Sequence, residues 1–458
     1  MATTATTRSS GYRCSECGWS AIKWVGRCGE CQAWGTVSEV GAVKVRTNAA
    51  VVIERPALRI GDVDARRAHA HTTGVSEFDR VLGGGLVPGA VVLVAGEPGI
   101  GKSTLLLDVA ARAARADQTV LYVSGEESVA QVRMRAERIE AMAKNLFLAA
   151  ETDLATVLGQ IAQISPDLVV IDSVQTIASA EVEGSAGNVS QVREVAASLI
   201  QVAKTRAISV LLVGHVTKDG SIAGPRVLEH LVDVVIQFEG DRHSRLRLVR
   251  AVKNRYGPTD EVGCFDLSDV GIVGLPDPSG LFLSSRDLVV PGTCVTVTLE
   301  GRRPLVTEVQ ALLAATTAPS PRRTTSGLDS SRVAMILAVF DKRAGVSVRQ
   351  SDCYASTVGG VRLSEPASDL AIALAMASSV SERALPLGTV AMGEVGLAGE
   401  IRGVTGVHRR LAEAARLGFR KAVVPAGTLG SGPMPEDMLV IEVADIHRAV
   451  SLMTQPVC

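Results

Sequence analysis

The chain has no apolar run that reaches the roughly 18 residues a membrane-spanning helix needs. Its opening segment, Met1 to Ser10, lacks the apolar middle part of a secretory signal peptide. We therefore expect a soluble, cytoplasmic chain with no membrane partner. Its 458 residues are enough for about three domains with substantial cores.

A net charge that would mark the whole chain as a nucleic-acid binder is also missing, because 47 basic residues face 48 acidic ones. Any contact with DNA must then come from local clusters of lysine and arginine. Charge alone neither favours nor excludes DNA as a partner. No internal repeat is apparent along the sequence.

A pattern typical of phosphate-binding loops, G-x-x-x-x-G-K-[ST], follows the apolar run Val91–Ala95. Glycines let backbone N–H groups face the phosphates, Lys102 neutralises the β and γ charges, and Ser103 can ligate Mg²⁺. The helix expected at Ser103–Arg115 adds its positive dipole end, and these flanking elements favour a nucleotide site over an ordinary glycine turn. The predicted ATP-binding residues are Gly96, Glu97, Pro98, Gly99, Ile100, Gly101, Lys102, Ser103 and Thr104.

Two further apolar strands lead into carboxylates at the sheet edge where α/β proteins bind ligands. The strand Leu168–Asp172 places Asp172 where phosphate-loop enzymes hold an acid beside Mg²⁺, although such an aspartate can also be a helix cap. The strand Thr119–Ser124 leads to Glu126, which can orient the attacking water. Glu127 is an adjacent competitor, and both can be ordinary acids at a helix N-terminus.

Four of the eight cysteines form two C-x-x-C knuckles. Two such turns supply the tetrahedral thiolate set that Zn²⁺ favours, iron in a rubredoxin-like site is the alternative, and disulfides are disfavoured in a cytosolic ATPase. Trp19, Trp24 and Trp34 lie in or beside this segment, which suits a mini-domain whose metal replaces a core. The predicted metal ligands are Cys14, Cys17, Cys28 and Cys31 for zinc, and Ser103 and Asp172 for magnesium.

Apolar strands that recur between helical stretches predict an α/β core with a mostly parallel sheet. We expect the core to end in an antiparallel hairpin, Val234–Phe238 with Leu246–Lys253, extended by a strand near Glu261–Asp266. The polar, Pro-bearing segment Thr316–Ser326 indicates a domain boundary. The predicted parts are a zinc ribbon at 1–40, a connector at 41–71, an ATPase core at 72–315, a linker at 316–328 and a further domain at 329–458.

The phosphate-binding loop, the Gly-Glu-Glu after the second strand, and Lys253-Asn-Arg-Tyr-Gly257 after the hairpin together resemble the bacterial RadA (Sms) family. The resemblance covers nearly the whole chain, and the order of its parts is more specific than any one motif. It implies a core similar to RecA and to the DnaB replicative helicase, followed by an α+β domain like the proteolytic (S5-like) domain of Lon. It also implies a hexameric ring that hydrolyses ATP at subunit interfaces, moves on single-stranded and branched DNA, and extends recombination intermediates with RecA.

Within this family, Lys102 and Ser103 match the phosphate and Mg²⁺ residues, Asp172 the Walker B position and Glu126 the catalytic carboxylate. The resemblance also gives Lys253 and Arg255 a catalytic role. Two cations separated by one residue on an extended strand point the same way, so both can reach one phosphate on a neighbouring subunit.

The alternative for Lys253 and Arg255 is a solvated basic strand. Some of the nearby cations, Arg245, Arg247 and Arg250, we expect to serve only solubility or DNA.

His215 occupies the place of a γ-phosphate sensor in RecA-like proteins, and a hydrogen-bonded residue at a strand end is the alternative. The loops Ser179–Ser190 and Thr217–Arg226 match positions that line the DNA channel of such rings, with Lys218 and Arg226 as phosphate contacts. Neither loop contains an aromatic residue, so binding there should be backbone-directed and sequence-tolerant.

The Lon-like domain departs from the protease pattern at both catalytic positions. Lon uses a serine, flanked by glycine and proline, that a lysine activates. The nucleophile position here holds Ala367, and the lysine position falls on His408. Ser368 is one residue away, and on a helix this turns its side chain by about 100°. We expect an oligomerisation and DNA-binding scaffold, with a Ser368–His408 pair left open.

Two alternatives to the DNA motor follow from these parts. One is an ATP-dependent, Lon-like protease in which the ATPase unfolds substrates. The other is an ATP-gated DNA-binding module that does not translocate.

Overall fold

The structure, a computed structural model, describes residues 11–40, 57, 59–62, 69–215, 226–240, 245–283, 290–430 and 432–454. The chain divides into two compact units, Met1–Asp64 and Ala65–Cys458. Among the residues described, we find no helix with both the length and the apolar character that a bilayer span requires.

The first unit holds a small antiparallel sheet. Its strands are β1 (Gly11–Cys14), β2 (Ser20–Ala21) and β3 (Val37–Val40), in the order β2-β1-β3. Cys14, Cys28 and Val37 are its buried residues, and Trp19 and Val25 pack against them. So small an apolar cluster is typical of a unit that depends on a metal for its stability.

The second unit begins with an α/β core. Its strands are β4 (Val91–Gly96), β5 (Val120–Ser124), β6 (Leu146–Ala150), β7 (Leu168–Asp172), β8 (Ser209–His215), β9 (Val234–Glu239), β10 (Leu246–Asn254), β11 (Val262–Ser268) and β12 (Gly271–Gly274). Its helices are α1 (Ser76–Leu82), α2 (Lys102–Arg115), α3 (Val129–Arg138), α4 (Leu154–Ile164), α5 (Val189–Arg206) and α6 (Arg226–Leu231).

These strands form one sheet in the order β12-β11-β10-β9-β4-β8-β7-β5-β6. Strands β4 to β9 are parallel, and β10 to β12 continue the sheet antiparallel. The central strand β4 is buried on both faces: Val92 and Val94 contact the layer of α1 to α3, and Val91 and Leu93 contact the layer of α4 to α6. A continuous apolar strand fits this two-sided burial. The predicted α/β core and its antiparallel hairpin are confirmed.

The rest of the second unit is an α+β domain. Its strands are β13 (Thr293–Glu300), β14 (Arg303–Ala315), β15 (Arg323–Ser326), β16 (Ser351–Thr357), β17 (Thr389–Ala391), β18 (Glu394–Val395), β19 (Ile401–Arg402), β20 (Lys421–Pro425) and β21 (Leu439–Val443). Its helices are α7 (Ser330–Arg343), α8 (Asp369–Ser381), α9 (Val407–Arg416) and α10 (Ile446–Thr454).

Seven of these strands form a mixed sheet in the order β15-β16-β14-β13-β17-β20-β21. Helices α7, α8 and α10 cover one face of the sheet, and α9 covers the other. Every residue of α8 from Asp369 to Ser378 is buried, because this part of the helix lies between the sheet and its neighbouring helices.

The expected start of the last domain, after a linker at 316–328, needs correction. Strands β13 and β14 lie at the centre of the C-terminal sheet, and residues 323–326 form its edge strand β15, parallel to β16. The C-terminal sheet therefore begins at Thr293. A polar, Pro-bearing segment marks an exposed connection, but it does not show which sheet the flanking strands join, since strand pairing is not local.

The turn between β13 and β14 attaches this domain to the ATPase core. Arg303 is 7% exposed and pairs with Glu77 of α1, which is 1% exposed. The same guanidinium donates to the carbonyl oxygens of Val262, Leu275 and Pro276. A buried arginine with this many acceptors holds the two parts of the unit together.

Candidate active site

The loop between β4 and α2 has the backbone that the sequence pattern predicts. Gly99 and Gly101 have φ values of +79° and +105°, which glycine adopts without steric cost. A Cβ at Gly96 would lie 2.6 Å from the carbonyl oxygen of Phe238 on β9. Glycine is therefore required at these positions, both for the turn and for the close approach of the neighbouring strand.

Lys102 points back under this loop. It is 3% exposed, and its Nζ donates to the carbonyl oxygens of Gly96 and Glu97 at 2.9 and 2.7 Å. Burial lowers the pKa of Lys102 to about 8, although the charges of Asp172 and Glu126 act in the opposite direction. A bound phosphate group would add further negative charge near the amine and raise its pKa again.

Asp172 ends strand β7 and is 6% exposed. The buried hydroxyl of Tyr122, on the adjacent strand β5, donates to its Oδ2 at 2.6 Å. Burial and the charge of Asp172 raise the pKa of Tyr122 well above its ordinary value, so the phenol keeps its proton. A helix-capping aspartate would bind a backbone N–H instead. This geometry favours the metal-side interpretation of Asp172.

Glu126 reaches the same site from the end of β5. Its Oε1 accepts a hydrogen bond from the Ser173 hydroxyl at 2.7 Å and lies 3.0 Å from Nε2 of His215. Burial acts to raise the pKa of Glu126, but Ser173, His215 and Lys102 lower it overall. The carboxylate is therefore ionised at neutral pH and held in a fixed orientation, as a water-orienting base must be.

The competing carboxylate, Glu127, turns away from this site. It pairs with Arg135 of α3, whose own side chain lies near Tyr122. From the sequence alone, Glu126 and Glu127 are adjacent carboxylates, and either one can orient the attacking water. The structure distinguishes the two carboxylates, because only Glu126 shares a partner, His215, with Lys102.

His215 lies between Lys102 and Glu126 and contacts both. Its Nδ1 lies 3.4 Å from Nζ of Lys102, and its Nε2 lies 3.0 Å from Glu126. The nearby Gln175 donates to its carbonyl oxygen at 3.3 Å. A polar residue between the lysine and the carboxylate is well placed to respond to a γ-phosphate, and Ser173 and Gln175 are partners that sequence reasoning missed.

Lys253 and Arg255 lie together but far from this cluster. Lys253 donates from Nζ to the carbonyl oxygens of Glu229 and Val232 at 2.8 Å, and Arg255 pairs with Asp233 at 3.2 Å. Burial and the charge of Arg255 lower the pKa of Lys253. Both cations thus point to one side, although a register shift interrupts strand β10 just before them.

The register of the sheet places Lys253 at the ends of the strands opposite those that carry the phosphate loop, and Arg255 follows it. Gly96 is aligned with Phe238, whereas Lys253 is aligned with Val235 at the other end of β9. Three to four residues of strand correspond to roughly 10–13 Å. Asn254 fixes the segment by donating to the last carbonyls of α1.

One arginine of the hairpin, Arg247, serves neither solubility nor DNA binding. Arg247 is 4% exposed and donates from Nε to the carbonyl oxygen of Ile100 in the phosphate loop at 3.1 Å. A Cβ at Gly240 would lie 2.4 Å from its Cδ, so this glycine makes room for it. Arg247 supports the loop and is not a solubility or DNA contact. A buried arginine opposite a glycine gives no local signal in a sequence.

The two other hairpin arginines form ion pairs within the chain. Arg250 pairs with Glu239 and Glu300 at 3.0 and 3.1 Å, and Arg245 pairs with Asp266. Arg245 is mostly exposed, and a surface pair of this kind contributes little to stability. Arg250 nevertheless connects the ATPase hairpin with the β13–β14 turn.

The four predicted metal ligands of the ribbon converge. Their sulfurs all lie within 4.8 Å of one another, with Cys14 and Cys31 at 3.7 Å and Cys17 and Cys28 at 3.5 Å. Zinc–sulfur bonds of 2.3 Å in a tetrahedron place sulfurs about 3.8 Å apart, which fits, whereas a disulfide does not. The Thr36 hydroxyl lowers the pKa of Cys14 to about 6, which favours its thiolate.

The C-terminal residues at and beside the Lon catalytic positions have other surroundings. Ser368 is 2% exposed, and its hydroxyl donates to the carbonyl oxygen of Glu365 at 3.1 Å. Nδ1 of His408 faces the carbonyl oxygen of Pro433 at 3.2 Å. Ala367 is buried and carries no nucleophile.

The two loops expected to line a DNA channel differ in how much of them is described. Ser179–Ser190 is tied to the buried side chain of Gln191, which bonds the backbone of Ser179 and Gly184. Most of Thr217–Arg226, with Lys218, lies outside the described residues, as does the side chain of Arg226. Most of the connector at 41–71 lies outside them as well.

Three family models match parts of the chain. Residues 54–221 match an AAA domain, and residues 12–39 match a rubredoxin metal binding domain. Residues 359–428 match a model described as subunit ChlI of Mg-chelatase. The first two matches coincide with the phosphate-loop core and the four-cysteine ribbon.

Curated relatives match nearly the full chain. DNA repair protein RadA of Mycolicibacterium smegmatis is 54% identical over 456 residues, which cover 97% of both chains. DNA repair protein RadA of Mycobacterium tuberculosis (H37Rv) is 52% identical, covering 98% of this chain and 96% of its own. DNA repair protein RadA of Streptococcus pyogenes serotype M1 is 46% identical, covering 96% and 98%.

Proposed function

This chain belongs to the RadA family of bacterial DNA repair proteins, and from that membership we propose that it is an ATP-driven DNA motor. It has the AAA domain of an ATPase and a zinc ribbon. The proposed activity is branch migration, or helicase movement of the DnaB type, during homologous recombination with RecA. Its proposed substrates are single-stranded and branched DNA in the cytoplasm, where the bacterial chromosome lies.

The hydrolytic site that we propose uses the cluster around Lys102. The loop Gly96–Thr104 would bind the ATP phosphates, with Ser103 and Asp172 on the Mg²⁺ ion, which neutralises developing charge on the phosphates when bound. Glu126 would orient the attacking water, because its low pKa keeps it ionised and two hydrogen-bond partners fix its direction.

The position of Lys253 and Arg255 carries the motor proposal. Both lie at the sheet edge opposite the phosphate loop, so neither approaches the nucleotide of its own chain. A neighbouring subunit in a ring could present them to that nucleotide, as a trans-acting cation does in other phosphate-loop ATPases. Hydrolysis in one subunit would then depend on the position of the next, which is the coupling that a hexameric motor needs.

We propose no peptidase activity for the C-terminal domain. The hydroxyl of Ser368 is buried and bonded to the carbonyl oxygen of Glu365, and Ala367 occupies the nucleophile position. The attachment through Arg303 supports a scaffold that holds the ATPase cores in an assembly.

Strand displacement tests this proposal. The protein is mixed with forked DNA carrying one labelled strand, in ATP or in a non-hydrolysable analogue, and its mass is measured in ATP and ADP. We expect displacement with ATP only, by an oligomer, and binding without displacement by Glu126→Gln. A parental protein that binds forks in ATP but never displaces a strand would be an ATP-gated module and not a motor. Degradation of casein that Ser368→Ala abolishes would favour a protease.

A further inference from the structure

The zinc ribbon exposes two of its three tryptophans. Trp24 is 63% exposed and Trp34 is 75% exposed, with Ile22 beside them at 82%. Trp19, in contrast, packs against Cys14 and Cys28. Indole rings carry a large apolar area that is costly to leave in water. Trp24 and Trp34 are therefore not part of the ribbon's small core and have surface to offer a ligand.

The two exposed rings flank a single glycine. A Cβ at Gly26 would lie 3.7 Å from Cη2 of Trp24 and 3.8 Å from Cζ3 of Trp34. A Cβ there would make only ordinary van der Waals contact with both rings, so the two rings lie close enough to contact one inserted group. The backbone beneath is fixed by the hydrogen bond from Gly35 N to the Gly26 carbonyl at 2.9 Å and by the pairing of Arg27 with Trp34. We call Trp24, Gly26 and Trp34 the tryptophan slot.

Two basic residues lie at or beside the tryptophan slot. The Arg27 guanidinium lies 5.6 Å from the centroid of the Trp34 ring, and Lys23 is exposed beside Trp24. No acidic residue occurs between Glu16 and Glu30. Aromatic faces combined with cations are features that bind single-stranded nucleic acid, since bases stack on the rings and phosphates meet the cations.

We propose that the tryptophan slot binds unpaired bases of single-stranded DNA by stacking. This inference rests on the proposed function, and it adds a base-contacting site to a chain whose two channel loops contain no aromatic residue. Duplex bases are already stacked and cannot enter between two side chains. The ribbon would therefore distinguish unpaired DNA from duplex DNA. Contacts between the channel loops of the protein and the DNA backbone would make this distinction only weakly.

The chain provides its own spectroscopic probe for this site. All three tryptophans lie in the ribbon, so tryptophan emission of the full-length protein reports on this unit alone. The protein is titrated with an unlabelled oligothymidylate, while binding of the same oligonucleotide with a dye is followed by anisotropy. We expect saturable quenching that parallels the anisotropy, and none with duplex DNA of equal length.

Substitutions assign the signal. Trp24→Ala and Trp34→Ala should each weaken binding about 5- to 100-fold, the effect of losing one stacked base, and should remove part of the quenching. Trp24→Phe should restore most of the affinity, because phenylalanine still stacks. Trp19→Phe is the matched control that should keep both affinity and quenching. One bound metal ion per chain in every variant shows that the ribbon has folded.

The outcomes separate this inference from the motor proposal. Anisotropy that reports binding without any change in tryptophan emission would overturn the tryptophan slot and leave the motor intact. Unchanged affinity in both alanine variants would do the same. No binding of DNA at all would contradict both. Emission that changes with RecA alone would assign the slot to a protein partner and also overturn the inference.

Discussion

Tyr122 donates its hydroxyl to Oδ2 of Asp172 at 2.6 Å, and both side chains are buried in the α/β core. The two residues lie on adjacent parallel strands, where Ser124 rather than Tyr122 is aligned with Asp172. The long phenol therefore reaches along the sheet to fix the plane of the carboxylate. An acid that is to hold Mg²⁺ benefits from such a second partner, since the partner sets its orientation before the metal binds.

Replacing Tyr122 with phenylalanine should impair the site without unfolding the core. The buried carboxylate of Asp172 loses one hydrogen bond, which costs about 1–3 kcal/mol. We expect a higher Mg²⁺ concentration for half-maximal ATP hydrolysis and a lower kcat. Tyr354→Phe, on the half-exposed face of β16, is the matched control. An unchanged Mg²⁺ dependence in Tyr122→Phe would show that the hydroxyl has no role at the metal.

Binding of ATP should be linked to a proton at Lys102. Without nucleotide the pKa of its amine is about 8, lowered by burial from the ordinary value of 10.5. Phosphate charge should raise this pKa again, so binding between about pH 8 and 10 takes up a proton. Calorimetry in buffers of different ionisation enthalpy measures this uptake. Lys102→Met should show neither uptake nor ATP turnover; turnover at the parental rate would refute the site.

The same shift has a consequence for stability that can be checked separately. Between pH 8 and 10.5 the folded, nucleotide-free chain binds fewer protons at Lys102 than the unfolded chain does. This difference should therefore increase the free energy of unfolding as pH rises through this window. The contribution should be absent in Lys102→Met, so the comparison of the two proteins across this pH range isolates it.

Lys253 should act on the nucleotide of a neighbouring subunit. We expect Lys253→Ala to bind ATP but to lose DNA-stimulated hydrolysis, with Arg245→Ala, which loses only an exposed ion pair, as the control. Mixing Lys253→Ala with Glu126→Gln should restore part of the hydrolysis. In a mixed ring some interfaces combine an intact Glu126 with an intact Lys253.

The mixing result also distinguishes a trans role from a local structural one. Lys253 binds the carbonyls of Glu229 and Val232 in its own chain, so its loss could disturb α6 alone. A purely local defect would not be repaired by a second inactive variant. Mixtures that remain as inactive as their components would therefore count against the trans role.

Loss of Arg303 should destabilise the second unit strongly. Arg303→Met leaves the buried carboxylate of Glu77 with only the exposed Arg80, at 3.6 Å, as a cation. Breaking a buried pair in this way costs about 3–5 kcal/mol. The adjacent Arg302→Met removes only a half-exposed pair with Asp260, and its effect should stay within about 0.5 kcal/mol. Urea unfolding of the two variants measures the difference. Equal midpoints would mean that Arg303 is not a structural anchor.

Some features of the site were readable because their chemistry lies in one short segment. The loop from Gly96 to Thr104 and the knuckles at Cys14 and Cys28 each bring their groups together through local backbone turns. The strand end at Asp172 could be predicted for a similar reason, because a carboxylate interrupts the buried apolar run of the strand. The α/β fold followed from the alternation of such runs with helical stretches.

The sequence by itself therefore determined a phosphate-binding loop, a four-thiolate metal site and an α/β core, because each depends on residues close together in the chain. Only the tertiary structure decided that Glu126 and not Glu127 faces Lys102, that Arg247 supports Ile100 from 147 positions away, and that Thr293 begins the last sheet. Such contacts depend on strand order and on the direction of single side chains. Local periodicity encodes neither, because it records which face of an element is buried and not what buries it.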